Sequence, residues 1–486
     1  MTAIPALKPF IRSGVVLLAC LATPAVQAQT QTLPALGETS AAVVSSVEET
    51  RLGRQFMRTA RRQMEFSADP ELVEYIRGLG VRLVSGVDLA PEEFTFSVVN
   101  DPRLNAFAVP GGFISVHSGL IAATASESEL ASVMAHEIAH ITQRHLPRMI
   151  ARAKERSIPA AAAMVAAILV GGQMGSAALV GANAALAADQ LRYSRDFETE
   201  ADAMGIRILA ASGFDATAMP KFFQKLQNQT MLHASEAPEY LRTHPLSVNR
   251  IADSESRAQG YATASHRSST DYLMMRARVR ALMAGDPLRA AGNFADAGQP
   301  DGDEALAARY GEGLARMAAG QYDVARSIFD ELSAAFPENR YIALARGQLA
   351  LRRGDAAGAM DMLGSIYEND PNDFVAARYY AQALMTAGRL EDARRVVRRW
   401  QRGDPSNPET WRLMSRIDGE LGRQAEAFQS RAEYLVLMFE TRRAIEELER
   451  ARQLSGGDYY LTSSIDARIG ELRDELVRYD EDENLR

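Results

Sequence analysis

The apolar positions of this chain fall into strand-like and helix-like runs whose order predicts two kinds of domain. Asn105-Ala106-Phe107-Ala108-Val109-Pro110-Gly111-Gly112-Phe113-Ile114-Ser115-Val116 reads as strand, Pro-Gly-Gly turn, strand. From Ser126 the period becomes helical. Ser126 and Glu129 form a capping box, and Leu130, Val133 and Met134 carry an apolar stripe up to His136. Tyr272 to Met283 predicts an amphipathic helix, and Ala290 to Asp303, rich in Gly, Pro and Asp, a connector. Ile158 to Ala188 is anomalous: 31 residues without a charge, rich in alanine, with Gly171, Gly172, Gly175 and Gly181. Its length would permit a membrane span, but alanine is only mildly apolar and Gln173, Ser176 and Asn183 dilute the run. It reads as a helix pair hinged at Gly171-Gly172, either buried or a lid that covers a cleft or leans on a membrane.

The last third repeats. Gly320, Gly354, Gly388 and Gly422 stand 34 residues apart, each followed five residues later by Ala325, Ala359, Ala393 or Ala427, and Pro337, Pro371 and Pro405 keep the same step. This is the pattern of tetratricopeptide repeats, helix pairs whose turn needs glycine and whose second helix needs a small residue where it packs. Such arrays bind polypeptide along a concave face. Past Tyr434 the register is expected to lapse, residues 439–476 capping the solenoid with Ala444, Leu448 and Leu454, and Asp480 to Arg486 fraying. The expected division is 1–28 export signal, 29–45 flexible segment, 46–265 first folded domain, 266–303 helix and linker, 304–476 repeats and cap, 477–486 tail.

A net charge of −8 argues against nucleic acid as a partner. Within this acidic chain Arg394, Arg395, Arg398, Arg399 and Arg402 cluster, as a solvated helix face or a docking patch for an acidic partner. The first 28 residues read as an export signal: Lys8 and Arg12, an apolar run from Gly14 to Ala22, and a cleavage site at Val26-Gln27-Ala28. Leu18-Ala19-Cys20 faintly resembles a lipoprotein box, but cleavage after Ala28 is favoured, and it removes the chain's one cysteine. A metal in the mature chain would then use nitrogen and oxygen ligands.

Candidate ligands are plain. His136-Glu137-Ile138-Ala139-His140 puts two imidazoles about 40° apart on one helix face, with Glu137 beside them placed to act on water. A tetrahedral catalytic zinc takes three protein ligands and leaves one corner open. Three acids in Tyr193 to Asp202 compete for the third place; on a helix Glu198 and Asp202 share a face while Glu200 points away, so Glu198 is the expected ligand. Asp202 would either hold a ligand histidine by its free N–H or supply a proton. The hairpin edge at Asn105, Ala106 and Phe107 could receive an extended peptide as an added strand.

Of the other histidines, His145 would lie about 180° from His136 on a continued helix, away from the site. His117 is expected on the solvated surface, and His233 and His266 carry no signal. His244 precedes Pro245 and sits in a loop, where it could bind the substrate carbonyl or occupy the open corner and hold the enzyme off.

The set Asn105-Ala106-Phe107 with Pro110-Gly111-Gly112, His136-Glu137-x-x-His140, and Ser194-Arg195 with Glu198-x-x-x-Asp202-Ala203 resembles the HtpX and CAAX prenyl protease family of zinc endopeptidases, over roughly residues 45 to 260. The resemblance implies a mainly helical chain: a gluzincin-type α+β zinc metalloprotease domain, then an all-α solenoid. It implies one Zn2+ held by His136, His140 and Glu198, with Glu137 as catalytic base and Asp202 as proton donor. The chain looks much closer to the family's soluble periplasmic branch than to its membrane-embedded members. That branch implies proteolytic quality control of misassembled outer-membrane proteins, with those proteins and the outer-membrane β-barrel assembly machinery as partners and some chaperone activity. Two other readings stay open: a repeat-based chaperone or adaptor with latent proteolysis, and a membrane peptidase anchored through residues 158–188.

Overall fold

A computed structural model describes residues 45–484 apart from 87–89, 91–92, 156–183, 233–237, 262–265 and 297–301. The export signal, residues 29–44, His233 and most of the 158–188 stretch lie outside the described residues. No described helix is long and apolar enough to cross a membrane.

The peptidase part opens with helices α1 (Ser46–Gln63) and α2 (Pro70–Ser85), then strands β1 (Thr95–Val99), β2 (Ala106–Val109) and β3 (Phe113–His117). The sheet order is β1-β3-β2, with β1 parallel and β2 antiparallel to β3, so β2 is an edge strand. Gly111 and Gly112, both at φ +81, make the hairpin turn; a Cβ on Gly112 would stand 1.8 Å from the Glu93 carbonyl oxygen. After α3 (Ser118–Ala123), α4 (Glu127–Thr142) starts at a two-way cap: Ser126 Oγ accepts the Glu129 N–H, and Glu129 accepts from the Ala125 N–H at 2.8 Å. Every residue of α4 from Leu130 to Ala139 is buried, making it the peptidase's central helix. Then come α5 (His145–Glu155), α6 (Ala184–Ala211), α7 (Ala218–Leu232), α8 (Glu239–Thr243) and α9 (Val248–Gln259).

Helices α10 (Thr270–Leu282) and α11 (Pro287–Ala295) lead to the array. The connector expected from Ala290 is thus partly helix: Asp286 caps the N–H groups of Leu288 and Arg289, and Pro287 suits the first turn. Helical pairs follow: α12 (Asp303–Ala318) with α13 (Tyr322–Ala335), α14 (Arg340–Arg352) with α15 (Ala356–Asn369), and α16 (Phe374–Thr386) with α17 (Leu390–Gly403). Next are α18 (Pro408–Glu420) with α19 (Gln424–Leu437), and α20 (Thr441–Leu454) with α21 (Tyr459–Asn484). Gly320, Gly354, Gly388 and Gly422 turn each pair at φ +75, +80, +74 and +76.

The repeat phase outlasts the expected lapse. Gly456 stands another 34 residues on (456 − 422) at φ +61, so the left-handed turn persists where the small residue and the proline do not. Phe439, 34 residues after Pro405, takes φ 62. The last helix runs on to Asn484 rather than stopping before a frayed tail. In the arginine cluster, Arg394 is buried in an ion pair with Asp418, while Arg398, Arg399 and Arg402 are exposed.

Helix α2 joins the two parts. Its apolar face, Leu72, Ile76, Leu79 and Leu83, enters the peptidase core. Its charged face meets successive repeat pairs: Glu71 contacts Gln348 of α14 and Tyr379 of α16, Glu74 contacts Arg340 of α14 at 2.9 Å, and Arg77 contacts Asp404, just after α17, at 2.7 Å. Arg278 of α10 completes the seam, 3.0 Å from Glu71 and 2.8 Å from Asp69, with the hydroxyls of Tyr310 and Tyr379 at 3.0 and 3.2 Å. Helix α2 thus lies against α14, α16 and the loop after α17 of the array.

Candidate metal centre

Helix α4 delivers His136, Glu137 and His140, α6 delivers Glu198 and Asp202, and the loop after α8 delivers His244. Gly205 lets α6 lie close to α4; a Cβ there would be 3.2 Å from the His136 backbone nitrogen. The Nε2 atoms of His136 and His140 are 3.0 Å apart. Glu198 reaches them at 3.3 and 3.4 Å, and His244 Nδ1 lies 3.3 Å from His136 Nε2 and 3.1 Å from Glu198 Oε1. These four residues form a cluster able to hold one ion. Donors about 2.0–2.2 Å from a tetrahedral ion stand about 3.3–3.6 Å from one another, close to the spacings seen. Lone pairs converging so tightly repel unless a cation or proton lies between them, so the donor set fits a metal.

Each helix histidine is held from behind. Asp202 Oδ1 lies 3.0 Å from His136 Nδ1, and Arg250 grips the same carboxylate through Nε and Nη2 at 2.8 Å each. Behind His140 stands His145, with Nδ1 atoms 2.9 Å apart; His145 Nε2 faces Glu200 at 3.3 Å, and Arg148 holds Glu200 at 2.9 Å. The expectation for His145 fails because the helix does not continue: Arg144 takes φ 51 and α5 starts afresh, turning His145 back toward His140. It stays outside the four-donor cluster.

Burial would raise the Glu198 carboxyl, but His244, His140 and His136 overcome this and hold it well below the usual carboxylate range. Burial raises the Glu137 carboxyl, opposed by His244, His136 and the Ala108 backbone amide. Glu137 Oε1 finds no hydrogen-bond partner among the described residues and lies 3.4 Å from His244 Nε2. Burial also pushes His140 well down, toward the neutral imidazole that a metal requires.

A cavity of about 110 Å³ opens beside Glu137, His140 and His244, walled by Phe107, Pro110, Ile141, Leu146, Met149 and Phe197. Phe107 and Ala108 bring edge strand β2 to this cavity, while Asn105 and Ala106 are buried at its start. Arg250, and Tyr240, whose ring stacks on His244 at 4.7 Å, had no motif to mark them. His117 departs from its expected surface position: it is 1% exposed at the end of β3, 3.9 Å from Asp101. Burial pushes it down to about 4. His266 contacts Glu127 at 3.2 Å, away from the centre.

Residues 70–258 match Peptidase family M48, and residues 310–374 and 350–417 match tetratricopeptide repeat families. The beta-barrel assembly-enhancing protease of Escherichia coli (strain K12) is 31% identical over 94% of each chain. A Vibrio cholerae protein with the same description in provisional form is 34% identical over 97% of this chain and 99% of its own. The mitochondrial metalloendopeptidase OMA1 of Arabidopsis thaliana is 35% identical over 32% of this chain and 29% of its own. With this donor set on α4 and α6 and helical repeats behind it, the chain belongs to the M48 family of metallopeptidases, among those members whose peptidase domain is joined to tetratricopeptide repeats.

Proposed function

We propose that this chain is a periplasmic zinc endopeptidase that acts on misassembled proteins during outer-membrane β-barrel assembly. The observation that carries the chemistry is the convergence of His136 Nε2 and His140 Nε2, 3.0 Å apart, on the Glu198 carboxylate, whose two oxygens reach them at 3.3 and 3.4 Å, with Glu137 beside them. Nitrogen and oxygen donors in this number suit zinc. When bound, the ion would polarise the substrate carbonyl and let water ionise near neutral pH. The names of the full-length relatives support the setting, and the basic-apolar-small pattern of residues 1–28 supports export.

In this reading the peptide adds to the free edge of β2 at Asn105, Ala106 and Phe107, which carries its carbonyl toward Glu137. Glu137 takes a proton from the attacking water and passes it to the leaving amine; a carboxyl raised by burial suits both transfers. Asp202 orients His136 with its Nε2 lone pair inward. The grip of Arg250 on both oxygens of this carboxylate favours the orienting role over the proton donation implied by family resemblance. His244 occupies the corner that substrate needs and has to withdraw before turnover. Its closeness to Glu198 also favours a second reading, in which proteolysis is latent and the repeats act as a chaperone or adaptor.

The deciding experiment is Glu137→Gln in the full chain. The variant should retain one equivalent of zinc and lose casein cleavage; unaltered turnover would overturn the assignment. Full rescue of a deletion strain by the same variant would favour the scaffold reading.

A further inference from the structure

We infer that Phe439 is a positioning residue for substrate: from the junction before the last repeat pair, its ring braces the β2–β3 hairpin whose free edge receives the peptide. The inference rests on the endopeptidase reading and adds a residue from the repeat array to its machinery.

Phe439 occupies the phase held by Pro337, Pro371 and Pro405 in earlier repeats, yet takes φ 62, which bulky L residues seldom adopt. The ring it projects meets Phe113 edge-on at 5.5 Å between centroids. It packs against a buried cluster of Met57, Val99, Phe107, Val109 and Phe113. Phe107 belongs at once to this cluster and to the wall of the cavity beside Glu137, so support from Phe439 passes to the cleft through a continuous apolar contact.

The surrounding contacts fix the ring from the other side. Arg54 and Arg61 of α1 lie over it at 6.0 and 5.8 Å, and Arg62 forks onto Glu440 at 2.7 to 3.0 Å. Farther along, Arg54 meets Glu475 of α21 at 3.1 Å. Helix α1 rests on the hairpin turn so closely that a Cβ on Gly53 would stand 1.8 Å from the Pro110 carbonyl oxygen. Among the described residues edge strand β2 has a partner on one side only, and it depends on such props for its register. A strained residue held where two domains meet is where a functional demand overrides local preference.

The test uses Phe439→Gly, which accepts φ 62 without strain and removes the ring, and Phe439→Leu, which keeps apolar bulk. In the full-length Glu137→Gln background, Phe439→Gly should speed hydrogen exchange at residues 106–109 about tenfold while α12 to α17 stay unchanged. It should weaken β-casein binding about fivefold, and in the active chain raise KM by a similar factor with kcat held within about twofold. Phe439→Leu should recover most of both effects. If the glycine variant does not fold, Arg62→Ala with Glu440→Ala loosens the same junction from its exposed rim and should give the same pattern. Unaltered exchange and binding in the glycine variant, or losses spread over the whole chain and not recovered by leucine, would overturn the inference. If the unaltered chain fails to cleave casein, the endopeptidase reading fails, while exchange and binding still decide the role of Phe439.

Discussion

The Asp202 carboxylate stands between His136 and Arg250, 3.0 Å from the imidazole Nδ1 and 2.8 Å from each of two guanidinium nitrogens. In the proposed reading it sets the ring's tautomer and direction. Asp202→Asn should fold, keep Glu137 in place, and bind zinc about 10–100-fold more weakly, read by competition with a chelator. A proton donor would behave differently, losing kcat with metal affinity unchanged.

His244 lies between Glu198 and Glu137, at 3.1 and 3.4 Å. His244→Ala should raise basal casein cleavage and lower zinc affinity together, since one donor goes and one corner opens. No change in either quantity would remove His244 from the gate.

His117 is buried, with its pKa pushed down to about 4 from an ordinary 6.5. Between these values the unfolded chain binds a proton that the folded chain refuses, so stability is intact above 6.5 and falls as pH drops toward 4. The loss should be about 2 kcal/mol at pH 5 and about 3 kcal/mol once below both values. Urea midpoints of the native chain and His117→Gln, compared at pH 7 and pH 5, should show a smaller fall in the variant.

Arg278 and Glu71 are both buried, 3.0 Å apart, where α2 meets the repeats. Arg278→Ala would strand a buried carboxylate and should destabilise the chain by about 3–5 kcal/mol. Arg278→Met with Glu71→Leu should cost much less. Equal losses in the two unfolding curves would mean that the pairing of the charges is not what holds the seam.

The parts of this arrangement visible in sequence are those governed by a local period. His136 and His140 share a face because a helix turns every 3.6 residues, and Glu198 and Asp202 share one for the same reason. The 34-residue step of Gly320 to Gly422 is equally local, since each pair repeats one turn. Arg250 and Tyr240 were silent because tertiary packing of α8 and α9 alone brings them to the centre. His145 is set aside on the assumption of an unbroken helix, which the left-handed Arg144 ends. His117 read as a surface residue because a polar residue at a strand end gives no sign of the layers that will close over it.

The ion pair between Arg54 and Glu475 spans 421 positions of sequence. Contacts of such separation form late, because the entropy of closing so long a loop has to be met before the contact returns anything. Helix α1, which overlies the hairpin turn, therefore gains this contact only when the last helix, α21, is in place.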